Sequence, residues 1–222
     1  MKEQAGRRVW DELLTPEDRH RTIQVIMDAT EDGPDLILEG LLAMGMSIDV
    51  RDRYGKTALM WAASGGYAQR AQFLIDKGAD ANTKDHHGET PLMHAASYGH
   101  RQALKLLLDR GADPNAVDES GWTALFFAAS HGHTDSVKLL IDKGASVNTR
   151  DKYGWTALMC AADSGKTDTA RVLVHKGADV NAVADGGRDA LMLAMVEGHA
   201  EVAQFLRRAS EKSEKKWWHL WR

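Results

Sequence analysis

The chain has 222 residues, 43% hydrophobic and 27% charged, with a formal net charge of −4. That is the composition of an ordinary globular protein, and its acidic balance argues against general nucleic-acid binding, which needs a basic face. The single cysteine, Cys160, excludes an internal disulfide and suits a reducing compartment.

The opening residues MKEQAGRRVW carry no apolar stretch of a secretory signal. No apolar run approaches the ~20 residues that cross a bilayer, so a cytoplasmic protein is expected. The charge is unevenly spread. From Arg207 to Arg222 six basic residues face two acidic ones, which makes that end +4 and the body −8.

Residues 1–18 form an N-terminal extension. In it, VWDELL forms a helical turn with Trp10, Leu13 and Leu14 on one side, either covering an open end or meeting a partner. Thr15-Pro16-Glu17-Asp18 reads as a helix start: a cap, a proline in the first turn, then two acids that suit the helix dipole. The helix that follows carries Ile23, Ile26 and Met27. Gly33-Pro34 marks a reversal, and LILEGLLAMG (36–45) is a second helix with its stop.

From there a step of 33 residues governs the chain. Glycines recur at Gly66, Gly99, Gly132, Gly165 and Gly198, where two antiparallel helices must reverse. They recur at Gly78, Gly111, Gly144 and Gly177, where a second helix stops, and at Gly55, Gly88, Gly121, Gly154 and Gly187, at the tip of a turn. Thr57, Thr90, Thr123 and Thr156 precede apolar runs and read as helix N-caps, with Asp189 in the same place. Alanine pairs such as Ala62-Ala63 and Ala95-Ala96 allow close helix packing. Leu74-Ile75, Leu107-Leu108, Leu140-Ile141 and Leu173-Val174 supply an aliphatic seam that one unit cannot bury alone.

These registers resemble the ankyrin repeat, most fully in Asp85–Val117 (DHHGETPLMHAASYGHRQALKLLLDRGADPNAV). The resemblance implies an all-α solenoid of helix-turn-helix units joined by short β-hairpin-like loops. It divides the chain into an N-terminal capping repeat (19–51), four repeats (52–84, 85–117, 118–150 and 151–183), a C-terminal capping repeat (184–208) and a basic Trp-rich tail (209–222). The family motif is usually Thr-Pro-Leu-His. Here it reads TALM, TPLM, TALF, TALM and DALM, so packing by Met or Phe replaces a polar link between units. His100, His133 and His199 hold the family's Gly-His position and are expected to serve the start of their own helix. Arg207 stands where interior repeats place an aliphatic seam residue, so the array is expected to end there. ASEKSEKK then reads as a mobile polar linker to WWHLWR.

Nothing assembles a catalytic set, and no cofactor is expected. There is no GxxxxGK[ST] loop and no GxGxxG. His86-His87 with His94 invites a metal reading, but adjacent histidines at a turn tip diverge and no Cys pair accompanies them, so no metal site is expected. Cys160, between Met159 and Ala161, reads as a buried core thiol.

What the resemblance implies is protein binding without catalysis, through a concave groove lined by hairpin tips and first helices. The partner-binding candidates on the tips are Arg53, Tyr54, Lys56, His86, His87, Glu89, Trp122, Lys152, Tyr153 and Trp155. On the first helices they are Trp61, His94, Tyr98, Phe127 and His131. Trp217, Trp218 and Trp221 are added from the tail. Trp122 and Trp155 are expected side by side on one ridge, either as contact residues or as rings that stiffen adjacent hairpins. The expected partner is another protein, with a basic surface to suit the acidic body, and the chain acts on it as adaptor, scaffold or inhibitor, toxin-immunity inhibitors included. A second reading makes it a membrane-peripheral protein whose tail touches anionic lipid.

Overall fold

The computed structural model describes residues 14–28 and 36–218. The expected turn carrying Trp10, the Gly33-Pro34 reversal and the segment His219–Arg222 lie outside these residues, as do the side chains of Ile26 and Met27. Among the described residues there are twelve helices and no strand, only an isolated antiparallel bridge between Val183 and Asp189. The helices are α1 Pro16–Asp28, α2 Leu36–Ala43, α3 Ala58–Gly65, α4 Ala68–Asp76, α5 Pro91–Ser97, α6 Arg101–Asp109, α7 Ala124–His131, α8 Thr134–Asp142, α9 Ala157–Asp163, α10 Thr167–His175, α11 Ala190–Val196 and α12 Ala200–Trp218. The chain divides into two compact units, Met1–Ala95 with Gln102–Asp113, and Ala96–Arg101 with Pro114–Arg222.

In the first unit, α1 opens with a reciprocal cap. The Thr15 hydroxyl accepts from the Asp18 N–H at 3.1 Å and donates to the Asp18 carboxylate at 2.6 Å. The Thr15 bonds hold the Asp18 carboxyl below its ordinary pKa. Ile23, at 1% exposure, points α1 into the core, and α1 packs on α3. In the second unit α9 packs between α7 and α11 on the first-helix side, and α10 between α8 and α12 on the other.

The repeated residues act as their spacing requires, except Thr123, whose hydroxyl makes no cap bond. Thr57, Thr90 and Thr156 accept from the N–H three residues on at 3.3–3.4 Å, and Asp189 does so at 2.7 Å. Gly144, at φ 96°, ends α8: its N–H reaches Ile141 O, and the next N–H, of Ala145, reaches Leu140 O. The alanine pairs and Met60, Met93, Phe126 and Met159 of the modified motif are buried, Met60 and Met159 completely. Leu74 and Leu107 in the first unit and Leu140 and Leu173 in the second are fully buried. Their neighbours Ile75, Leu108, Ile141 and Val174 are only half-buried.

Asparagine joins repeat to repeat. Asn148 donates to Gly177 O at 3.0 Å and accepts from the Asp179 N–H at 2.8 Å. Asn115 does the same with Gly144 and Ser146, and in the first unit Asn82 with Gly111 and Asp113. The last of them, Asn181, accepts from the Ser210 hydroxyl at 2.8 Å.

Two expectations are corrected here. The segment 209–216 is no polar linker: α12 runs unbroken from Ala200 to Trp218. Its Lys and Glu residues are good helix formers, Glu211 and Lys215 stand four apart, and no Gly or Pro interrupts. His133 and His199 reach back to the preceding repeat. His133 makes no side-chain cap bond to α8. Its Nε2 instead bonds Ser97 O at 3.0 Å, and His199 Nε2 bonds Asp163 O at 2.9 Å, both at the end of the preceding repeat's first helix. The ring needs the space a side chain would fill, since a Cβ on Gly165 would lie 2.7 Å from the His199 ring.

The last first helix is less covered than those before it. Met192 and Met195 are 48% and 56% exposed, whereas Met159 and Ala162, one repeat earlier, are fully buried. Arg207 is exposed, as its charge requires.

Candidate protein-binding surface

Each hairpin is built on an aspartate. Asp52, Asp85, Asp118 and Asp151 use Oδ1 to accept the N–H groups two and four residues on, at 2.8–3.0 Å. A loop closed in this way holds its tip without help from the tip side chains. Adjacent tips are tied through the backbone: His86 N–H to Tyr54 O in the first unit, Lys152 N–H to Ser120 O and Asp185 N–H to Tyr153 O in the second. The tip side chains are therefore free to point outward.

The second carboxylate oxygen is satisfied differently in each repeat. Asp52 Oδ2 accepts from Trp61 Nε1 at 3.1 Å and lies 3.2 Å from His20 Nδ1. Asp85 Oδ2 lies 3.3 Å from His94 Nε2. Phe127 and Cys160, at the corresponding positions, carry no ring N–H. Asp151 Oδ2 receives Trp122 Nε1 at 3.0 Å from the hairpin before it.

The expected contact residues consequently fall into three groups. Tyr54, Tyr98 and Tyr153 are 43%, 61% and 65% exposed, and Arg53, His86, His87, His131 and Lys152 are exposed with them. The Arg53 guanidinium lies over the Tyr54 ring at 4.8 Å, and Tyr98 stacks on His100 at 6.1 Å. His131 Nδ1 is 2.9 Å from Phe127 O, one turn back on its own helix.

A second group is half-buried: Lys56, Trp61, Glu89, Trp122, Phe127 and Trp155. The Trp122 ring meets Phe127 edge-on at 5.3 Å, and Arg188 lies over Trp155 at 5.6 Å. His94, expected on the exposed side of its helix, is buried at 4% exposure. The carboxylate of its own hairpin draws the ring inward, a pull that the sequence pattern of the helix alone does not show.

Trp217 and Trp218 extend α12, but their side chains, and Trp221 entirely, lie outside the described residues. The sequence reading omitted Tyr67, half exposed at the start of α4, which has no counterpart of its kind in the other repeats. Cys160 is buried as expected, and that burial pushes its thiol pKa up. No helix among the described residues is long and apolar enough to cross a membrane.

Comparison with known proteins agrees with this geometry. The family model described as ankyrin repeats (three copies) matches residues 26–118 and 110–184. No curated protein matches the chain. Ankyrin repeats are in general protein–protein interaction modules and in general non-catalytic. With helix pairs, reversal glycines and Asp-closed hairpins repeating at one fixed step, and with the family model spanning most of its length, the chain belongs to the ankyrin-repeat family.

Proposed function

We propose that the chain is a non-catalytic binding module that meets a protein partner through the hairpin tips and adjacent first-helix ends of its units. The observation that carries this reading is the exposure of tyrosine on rigid supports. Tyr153 is 65% exposed on a tip whose backbone is fixed on both sides, and Tyr98 is 61% exposed at the end of α5. Exposed aromatics on a preordered surface lose little entropy on docking, and Tyr is a frequent binding hot spot. The −8 body favours a partner with a basic surface. Blocking or tethering that partner needs no further chemistry from this chain.

The test compares wild type with a Tyr98→Ser/Tyr153→Ser variant in quantitative capture from native lysate, after both show equal helical signal and urea midpoint. A partner kept by wild type and lost by the variant supports the reading. A partner kept equally by both moves the site off these tyrosines. Trp122 is unsuitable for this test, because removing it also strips Asp151 of a donor.

A further inference from the structure

We propose that Asp85, Glu89 and His94 form a binding site for a divalent transition-metal ion, with Zn2+ as its best match. Each residue offers one ligand atom, and these atoms all lie within 4.8 Å of one another. The inference is independent of the protein-binding reading.

The fold requires only one of the three. Asp85 closes its hairpin like Asp52, Asp118 and Asp151. The positions of Glu89 and His94 hold Lys56 and Trp61, Trp122 and Phe127, or Trp155 and Cys160 in the other repeats. This repeat alone places a second carboxylate and an imidazole there. Hairpin closure uses Asp85 Oδ1 and leaves Oδ2 turned to the ring.

An ion can use only one nitrogen of the His94 ring, and the pair that faces a common ion is Nε2 with Asp85 Oδ2. His94 Nε2 and Asp85 Oδ2 are 3.3 Å apart, a long hydrogen bond, while Glu89 Oε2 faces the opposite ring nitrogen, Nδ1, at 3.5 Å. A charge-assisted hydrogen bond closes to roughly 2.7–2.9 Å. Two ligands on a tetrahedral Zn2+ with bonds of about 2.0–2.1 Å stand about 3.3 Å apart. Mixed imidazole and carboxylate donors suit this borderline ion.

Burial adds a reason and an entrance. Asp85 and His94 are nearly fully buried, so the two carboxylates bring negative charge to a poorly solvated place, which a divalent cation neutralises. The Glu89 side chain is 26% exposed and forms the solvent side, and to reach an ion held by Asp85 and Nε2 it has to swing away from Nδ1. Backbone bonds between Asp85 and Glu89 hold the two carboxylates together beforehand. The exposed His86 ring lies against Gly55 instead and takes no part.

The experiment titrates Zn2+ alone into the full chain against a chromophoric chelator. It uses wild type, Glu89→Gln, His94→Gln and a His86→Ala/His87→Ala control. We expect one ion per wild-type chain, binding weakened at least about tenfold in Glu89→Gln and in His94→Gln, and an unchanged control. Zn2+ should raise the wild-type Tm and leave that of Glu89→Gln where it is. If His94→Gln fails to fold, Glu89→Gln decides, since its side chain is partly exposed. Wild-type affinity no better than that of Glu89→Gln, or loss of binding in the control, overturns the site.

Discussion

Trp122 Nε1 donates a hydrogen bond of 3.0 Å to Asp151 Oδ2, 29 residues on, so the indole of one hairpin completes the aspartate that closes the next. The ring expected on a binding ridge is thereby a tie between repeats, with Phe127 against its face. Trp122→Phe keeps much of the packing but leaves the carboxylate short of a donor. A hydrogen bond to a charged group contributes roughly 1.5–3 kcal/mol, and the half-buried site puts the loss toward the lower end. The urea midpoint of Trp122→Phe should fall clearly, and that of Trp155→Phe should barely move.

Trp155 differs because the chain supplies Ala184 where the other repeats place their aspartate. Ala184 is buried, and its hairpin is already closed by the backbone bond from Ala184 N–H to Arg188 O. Ala184→Asp should add acceptors for the N–H groups of Gly186 and Arg188 and for the Trp155 indole. A gain of about 1 kcal/mol is expected, seen as a higher Tm with a shifted tryptophan emission. An unchanged Tm and emission would show that the Trp155 ring does not reach that place.

Thr123 breaks the cap pattern. Its hydroxyl is buried without a hydrogen-bond partner among the described residues, and the Phe126 N–H goes to the Thr123 backbone carbonyl at 3.0 Å instead. Thr156, one repeat later, caps through its hydroxyl at 3.3 Å. Thr156→Val should cost about 1 kcal/mol. Thr123→Val should be neutral or stabilising, because it removes an unsatisfied group without losing a bond. Paired denaturation curves of the two variants check the difference in sign.

Asp85 gives a pH dependence. Burial by itself pushes its pKa up, but the His94 bond and the N–H groups of His87 and Glu89 outweigh that and hold it below the ordinary value of 3.8. A depressed carboxyl contributes stability that is present above its unfolded pKa and is lost as pH falls through the folded one. The stability gap between wild type and Asp85→Asn should therefore be full at neutral pH and narrow below 3.8. Denaturant midpoints at a series of pH values measure it. A gap that stays constant into acid would show that the charge on Asp85 contributes nothing.

The sequence by itself determined the repeat, the helix pairs, the caps and the stops. Those features depend on local backbone chemistry: a glycine at positive φ, a hydroxyl before an apolar run, an acid pair after Thr15. Each is complete within a few residues and recurs at a step of 33, so it is legible without coordinates. The exposure of Arg207, where the other repeats carry a half-buried aliphatic residue, was also foreseeable from its charge. The course of α12 was not read from the sequence: ASEKSEKK has the polarity of a linker, and only the structure shows the helix continuing through it, with Ser210 bonded to Asn181.

Only the tertiary structure decided where the side chains of the candidate surface go. Trp122 turns to a carboxylate 29 residues away, His133 to a carbonyl 36 residues away, and His94 inward to its own hairpin, while Tyr98 and Tyr153 remain outside. Aromatic and imidazole rings carry both an apolar body and a polar atom, so their spacing fits an exposed ridge and a buried tie equally well. The choice rests on whether an acceptor stands within about 3 Å of the ring nitrogen. That is a fact about neighbouring repeats in space, and no single repeat contains it.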